Sequence, residues 1–174
     1  MSRLSGLILL IALMQSCGCA AYRFGHQTMY RPDIRTVHVP IFRSDSFRRN
    51  LGERVTEAVI KEIEQRTPYK VVANANADSV LSGRITHDSK KVIANNRYND
   101  ARDVETELTV AVVWTNRHGE LLMQSGGLPL PQTQIEVLAH AQFLPEAGQS
   151  LATAQQAAIE RLAREIVNQM EIWW

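Results

Sequence analysis

Val104-Glu105-Thr106-Glu107-Leu108-Thr109-Val110-Ala111-Val112-Val113-Trp114-Thr115 is the stretch whose pattern decides the fold. Val104, Thr106, Leu108, Val110, Val112 and Trp114 fall on one side of an extended chain, with Glu105, Glu107, Thr109 and Thr115 on the other. Successive side chains of a strand point to opposite faces, so this alternation predicts a strand with one face in a core and the other mostly wet. A one-sided strand requires neighbours beside it and a layer over its apolar face.

The flanking sequence supplies both. Downstream, Asn116-Arg117-His118-Gly119 reads as a hairpin turn leading into a strand over 120–125. Residues 126–131 break that pattern, and a strand over 134–143 resumes it, with Ile135, Val137, Ala139, Ala141 and Phe143 on one face. Upstream, Val80, Leu81 and Ile85 predict a strand over 79–86, which Val92 to Ala94 can prolong; Gly83 within it marks a bulge or a close backbone approach. The polar stretch 88–103 is expected to join the two strands. Residues 35–42 place Val37, Val39 and Ile41 on one face of a further strand, and Pro40, which lacks an N–H, puts that strand at an edge or bulges it. A short strand is expected over 69–73.

Two helices can provide the covering layer. In the first, Ser44-Asp45-Ser46 offers N-cap side chains. Phe47, Leu51, Val55, Val59 and Ile63 then recur every fourth residue beside Ile60, while Glu53, Glu57, Lys61 and Glu64 face water. Thr67-Pro68 ends it, because the residue before proline is pushed out of helical geometry. Arg48 and Arg49 stand at the positive end of this helix dipole, an unfavourable placement that hints at an anionic partner. The second helix begins at the N-cap Ser150 and lines up Leu151, Ala154, Ala158, Leu162, Ile166 and Met170; its alanines allow close approach to a sheet. Trp173 and Trp174 are expected to pack over its end. The order of elements predicts an α+β fold, with two helices packed on one face of a mainly antiparallel or mixed β-sheet.

The N-terminus carries a different signal. Arg3 precedes an apolar run from Leu4 to Met14 that Gln15 and Ser16 interrupt, well short of the roughly 20 residues a membrane span needs. With small residues and two cysteines following, it reads as an export signal of the lipoprotein kind, cleaved before a cysteine that receives lipid. Met14-Gln15-Ser16-Cys17 gives the preferred frame, with lipid on Cys17; Ser16-Cys17-Gly18-Cys19 gives the alternative, Cys19. A C-x-C pair is too close for ordinary disulfide geometry, and no histidine stands nearby at zinc-ligand spacing. The expected organisation is a signal peptide over 1–16, a lipid-anchored extended arm over 17–33 and one α+β domain over 34–174.

Cleavage before Cys17 takes 16 of the 174 residues and leaves 158, enough for one domain with a real core. No cysteine lies beyond Cys19, so stability rests on packing rather than disulfides. The full chain has 19 basic and 18 acidic side chains, which excludes the global field that would steer it onto nucleic acid. The arm and first strand are locally basic: Arg23, Arg31, Arg35, Arg43, Arg48 and Arg49 face only Asp33 and Asp45. Such bases could meet anionic headgroups, at about 1 kcal/mol each, or form a solvated arm.

No catalytic constellation stands out. The chain has no G-x-S-x-G, H-E-x-x-H or C-x-x-C motif and no phosphate-cradling glycine loop. His26, His38, His87, His118 and His140 are scattered, and no metal or cofactor is expected. One cluster could bind an anion: Arg84, Lys90, Lys91, Arg97 and Arg102 surround the polar stretch. Arginine forks and lysine point charges both suit phosphate, although Asp88, Asp100 and Asp103 dilute the charge and a solvated hairpin is the plainer reading.

Several motifs together are similar to a known family. Cys17-Gly18 after the apolar run, Tyr22-Arg23-Phe24-Gly25, the strand Thr36-Val37-His38-Val39-Pro40-Ile41-Phe42, the helix over 51–66 and Ala77-Asp78-Ser79-Val80-Leu81-Ser82-Gly83-Arg84-Ile85 resemble the LPS-assembly lipoproteins of the LptE type. That family reads Cys-Gly-Tyr without interruption, whereas Cys19-Ala20-Ala21 intervenes here. The resemblance implies a two-helix, sheet-containing plug, lipid-anchored on the periplasmic side of the outer membrane. It would sit within the β-barrel LPS translocon and help lipopolysaccharide reach the outer leaflet, as a binding and assembly factor rather than an enzyme. Accessory lipoproteins that activate a periplasmic cell-wall synthase or build a secretion pore share the Val37-His38-Val39-Pro40 and Asp78-Ser79-Val80-Leu81-Ser82-Gly83 patterns and form the alternative. A periplasmic hydrolase would require a buried histidine–carboxylate pair.

Overall fold

The decisive alternation becomes the central strand of the sheet. In the computed structural model, which describes residues 29–46, 48–74, 76–123 and 134–172, Val104, Thr106, Leu108, Val110, Val112 and Trp114 are each at most 3 % exposed. They belong to β5 (Ala101–Asn116), which pairs antiparallel with β4 (Ser79–Asn95) on one side and β6 (Ile135–Phe143) on the other. β1 (Thr36–His38) and, past a break, β2 (Arg43–Ser44) run parallel to β4, and β3 (Lys70–Val71) runs parallel to β1. The sheet is therefore mixed, open and six-stranded, in the order β3-β1-β4-β5-β6 with β2 also on β4.

The helices α1 (Leu51–Arg66) and α2 (Leu151–Asn168) complete an α+β arrangement as the periodicity predicts. α1 buries Leu51, Val55, Val59 and Ile63. α2 buries Ala154, Ala158, Leu162 and Ile166, and its apolar stripe widens to Ile159, Ala163 and Val167. α2 packs on β5 and β6, and α1 packs on α2, β2 and β3. Ser150 caps α2 as expected, its Oγ accepting from Thr153 N at 3.2 Å. Thr67 closes α1 with its amide donating to Ile63 O.

The start of α1 differs from the sequence reading. The helix begins at Leu51 behind Asn50, which has φ 61° and caps nothing with its side chain. Ser44 is used as the end of β2 and Asp45 is taken by Arg84, while Ser46 Oγ accepts from Arg48 N in a local turn. The N-cap chemistry of Ser44-Asp45-Ser46 is thus spent on the strand exit. Phe47 lies outside the described residues, as do residues 1–28 with Cys17 and Cys19, and Trp173 and Trp174. Tyr30, within the stretch read as an arm, is instead a core residue, edge-on to Tyr69, which in turn leans on Trp114. Burial pushes the Tyr69 hydroxyl up to about 12, so it stays neutral and accepts from Arg31 N at 2.8 Å.

Two glycines fix how the first strand meets α1. The register shifts by one residue between β1 and β2, and the chain bulges at Val39 to Phe42 around Pro40, as its missing donor dictates. Phe42 then inserts between Gly83 of β4 and Gly52 of α1. A Cβ on Gly83 would meet the Phe42 ring, and one on Gly52 would meet the Phe42 carbonyl. Phe42 N donates to Thr56 Oγ1 at 2.9 Å, and that hydroxyl donates to Gly52 O at 2.7 Å.

The largest correction concerns 88–103. Most of this polar stretch is strand: β4 continues to Asn95 and β5 starts at Ala101. Both faces of the distal part are largely wet, so no apolar period reveals it, yet the β4–β5 ladder satisfies one side of its backbone. Over 120–125, the described residues show one antiparallel bridge, Leu121 to Thr115, rather than a strand.

Candidate functional site

The β4–β5 pair runs on past the end of β2, and finally past that of β6, as a ribbon. A register shift at Thr86 separates the core half of β4 from the distal half, and it inverts parity: Leu81 and Ile85 lie on the core-side face before it, and Asp88, Lys90 and Val92 lie on that face after it, opposite Leu108, Thr106 and Val104, with Lys90 and Val92 exposed. At the tip, Asn96 Oδ1 accepts from Tyr98 N and Asp100 N, both at 2.9 Å, and Asn99 adopts φ 66° to close the turn.

Four of the five bases singled out from sequence share this ribbon. Lys90 and Lys91 are consecutive and so point to opposite faces, Lys91 beside Glu105 on the neighbouring strand. Arg97 lies over the Tyr98 ring at 4.8 Å from its centroid, an exposed cation–π contact at the tip. Arg102 stands exposed just past the turn. Arg84 lies apart, seven residues up the strand from Lys91, or roughly 23 Å at the usual rise per residue. It is engaged in a bidentate pair with Asp45, at 2.7 and 3.0 Å. The hydrogen bonds from Arg84 hold the Asp45 carboxyl below the usual carboxylate range, and the same contact raises the Arg84 guanidinium.

Arg48 and Asp88 form a pair that sequence reasoning missed. Arg48 Nε lies 2.6 Å from Asp88 Oδ2, and the Asp88 side chain is only 3 % exposed. This contact accounts for Arg48 ahead of the α1 dipole without an anionic ligand. The two residues are forty apart, and the parity change at Thr86 hides Asp88 among residues that read as solvated. Asp45, Ser46, Arg48, Thr86, His87 and Asp88 line a recess of about 370 Å³ at this point. A second, polar groove of about 450 Å³ runs between α1 and α2, with Arg54, Lys61 and Arg164 interspersed with Glu57, Glu62 and Glu160.

Other chemistry is sparse among the described residues. No group of three metal-ligating side chains converges there, and no ion pair there joins a histidine to a carboxylate. His38 Nδ1 instead lies 3.0 Å from Val72 O. No helix there is long and apolar enough to cross a membrane.

Comparison with known proteins places this geometry in a family. The family model described as "LptE: Lipopolysaccharide-assembly" matches residues 34–171, from just before β1 to just after α2. Comparison with curated proteins returned no match. Among solved structures, the chain is similar to an uncharacterized lipoprotein B from Nitrosomonas europaea, with TM-score 0.54, 15% identity and coverage of 86% of this chain and 89% of that one. A hypothetical protein, CT253, from Chlamydia trachomatis gives TM-score 0.54 at 13% identity over 77% of this chain and 94% of that one. A variant of the PelC dodecamer from Paraburkholderia phytofirmans gives 0.52 at 11% identity, over 83% and 93%. At these identities the structural likeness speaks for the fold alone.

Proposed function

Since the chain belongs to the LptE lipopolysaccharide-assembly family, we propose that it is a lipoprotein of the outer membrane, on the periplasmic side, that assembles with a β-barrel LPS translocon and assists lipopolysaccharide insertion into the outer leaflet. The observation that carries this reading is the extent of the family match, which spans every described strand and helix. The role is binding and assembly. Lipid on Cys17, or alternatively on Cys19, tethers the fold, and the two-layer body presents the ribbon to its partners.

On this reading Lys90, Lys91, Arg97 and Arg102 contact the phosphates of lipopolysaccharide, and Arg84 joins only when its pair with Asp45 opens. Hydrogen bonds from a cation to phosphate contribute about 1.5–3 kcal/mol each where water is excluded, and less on an exposed ribbon. A tagged chain recovered from detergent-solubilised outer membrane tests the assembly: a large β-barrel protein in near-equimolar amount is expected. Recovery of a cell-wall synthase or a homo-oligomeric ring, with no barrel, contradicts it.

A further inference from the structure

The distal half of β4 presents a long main-chain edge that no described strand covers. Past Ile85, where β2 stops, β4 pairs only with β5 among the described residues. Leu122 N donates to Trp114 O on the β6 side of β5, so even-numbered β5 residues direct their peptide groups toward β6 and odd-numbered ones toward β4. His87, Ser89 and Lys91 therefore bond to β5, and the N–H and C=O groups of Asp88, Lys90 and Val92 point outward. The β6 edge differs in one respect: Arg161 Nη1 from α2 donates to the outward His140 O at 2.7 Å, so a side chain already occupies one acceptor at the middle of that edge.

Three side-chain features say what would fit beside β4. Val92 and Ile93, where the ladder bulges, are each 45 % exposed. Lys90 and Lys91 place a positive charge on each face. Asp88 Oδ1 is buried without a hydrogen-bond partner beside the recess at the inner end of the edge, and an unmet buried acceptor is costly. We propose that the β4 edge is a docking site for an extended segment of another protein, which adds antiparallel as a further strand, acidic where it passes Lys90 and Lys91, apolar beside Val92 and Ile93, and carrying a donor side chain beside Asp88. A second copy of this chain is the wrong occupant, because antiparallel self-pairing about this centre sets lysines against lysines. The site reads main chain and side-chain pattern rather than phosphate, so it stands whether or not the ribbon also meets lipopolysaccharide.

The test uses the full chain and a synthetic nine-residue peptide with Asp facing Lys90 and Lys91, Val facing Val92 and Ile93, and Gln facing Asp88. Two further peptides carry backbone N-methyl groups, one on the residues whose N–H faces β4 and one on the alternate residues. Saturable binding is expected, with slowed amide exchange at Asp88, Lys90 and Val92. The first N-methyl set should weaken binding at least tenfold and the second should leave it within about twofold. Lys90→Pro, which removes an outward N–H that the ladder does not use, should match the first set. Unchanged exchange at saturating peptide, equal effects of the two N-methyl sets, or equal binding of a scrambled peptide would overturn the proposal.

Discussion

Gly52→Ala sets two physical effects against each other. On helix propensity alone, replacing glycine by alanine stabilises a helix by up to about 1 kcal/mol. In this chain the added methyl meets the Phe42 carbonyl oxygen at a separation no real Cβ tolerates. Phe42 cannot retreat: its amide is bonded to Thr56 Oγ1, its ring lies against Gly83 with Cζ 2.8 Å from where a Cβ would be, and the residue is 2 % exposed. Over-packing costs about 1–3 kcal/mol, and parting α1 from Phe42 sacrifices the Thr56 hydrogen bond, about 1 kcal/mol more. Against the propensity gain, the net is a loss of about 2 kcal/mol, or roughly 4–8 °C in Tm for a chain of this size. Urea titration of the wild type and variant, with Tm from thermal melts, measures it. A Gly52→Ala variant as stable as the wild type, or more so, would refute the clamp.

Gly83→Ala should also destabilise, by about 1–3 kcal/mol, and Phe42→Leu should recover part of that loss in a double-mutant cycle because the smaller side chain vacates the contested space. Arg48→Ala should cost about 1–3 kcal/mol by leaving the nearly buried Asp88 carboxylate without its partner, and Asp88→Asn in the same chain should restore most of it. Asp78 accepts from Thr36 Oγ1, Arg35 N and Thr36 N at 2.9–3.1 Å, and these bonds, the Thr36 hydroxyl foremost, hold its carboxyl below the usual value. A depressed folded-state pKa gives stability that is present above the unfolded value near 3.9 and lost as pH falls through the folded one. The fall in wild-type stability below about pH 4 should therefore flatten in Asp78→Asn, as acid titration followed by circular dichroism would show. Lys90→Glu with Arg97→Glu should weaken binding to purified lipopolysaccharide several-fold without changing Tm; unchanged affinity would remove the ribbon from the lipopolysaccharide contact.

The strands with one buried face were legible because alternation survives wherever core and water differ across the sheet. β6 follows it residue by residue and β5 departs from it only at Ala111, buried on the other face; the Leu51, Val55, Val59 and Ile63 stripe of α1 and the Ser150 cap of α2 stand as read, with Phe47 outside the described residues. Legibility failed where that contrast vanished. Along distal β4 both faces are wet, and the extra residue at Thr86 inverts parity, so Asp88 looked like loop and its burial against Arg48 could not be anticipated. Ser44-Asp45-Ser46 looked like a helix cap because its side chains suit one, but tertiary pairing of Ser44 with β4 and Asp45 with Arg84 outcompeted the local preference. Of the basic cluster, local sequence placed four members on one ribbon, whereas the capture of Arg84 depends on a partner 39 residues away.

The claim on which the proposed function rests is that this chain serves lipopolysaccharide delivery, and depletion in its own host tests it most directly. Newly made lipopolysaccharide would be followed to the cell surface by pulse labelling and outer-leaflet accessibility as the chain is removed. Surface arrival is expected to fall in step with depletion while synthesis continues. Undiminished arrival after complete loss of the chain would contradict it.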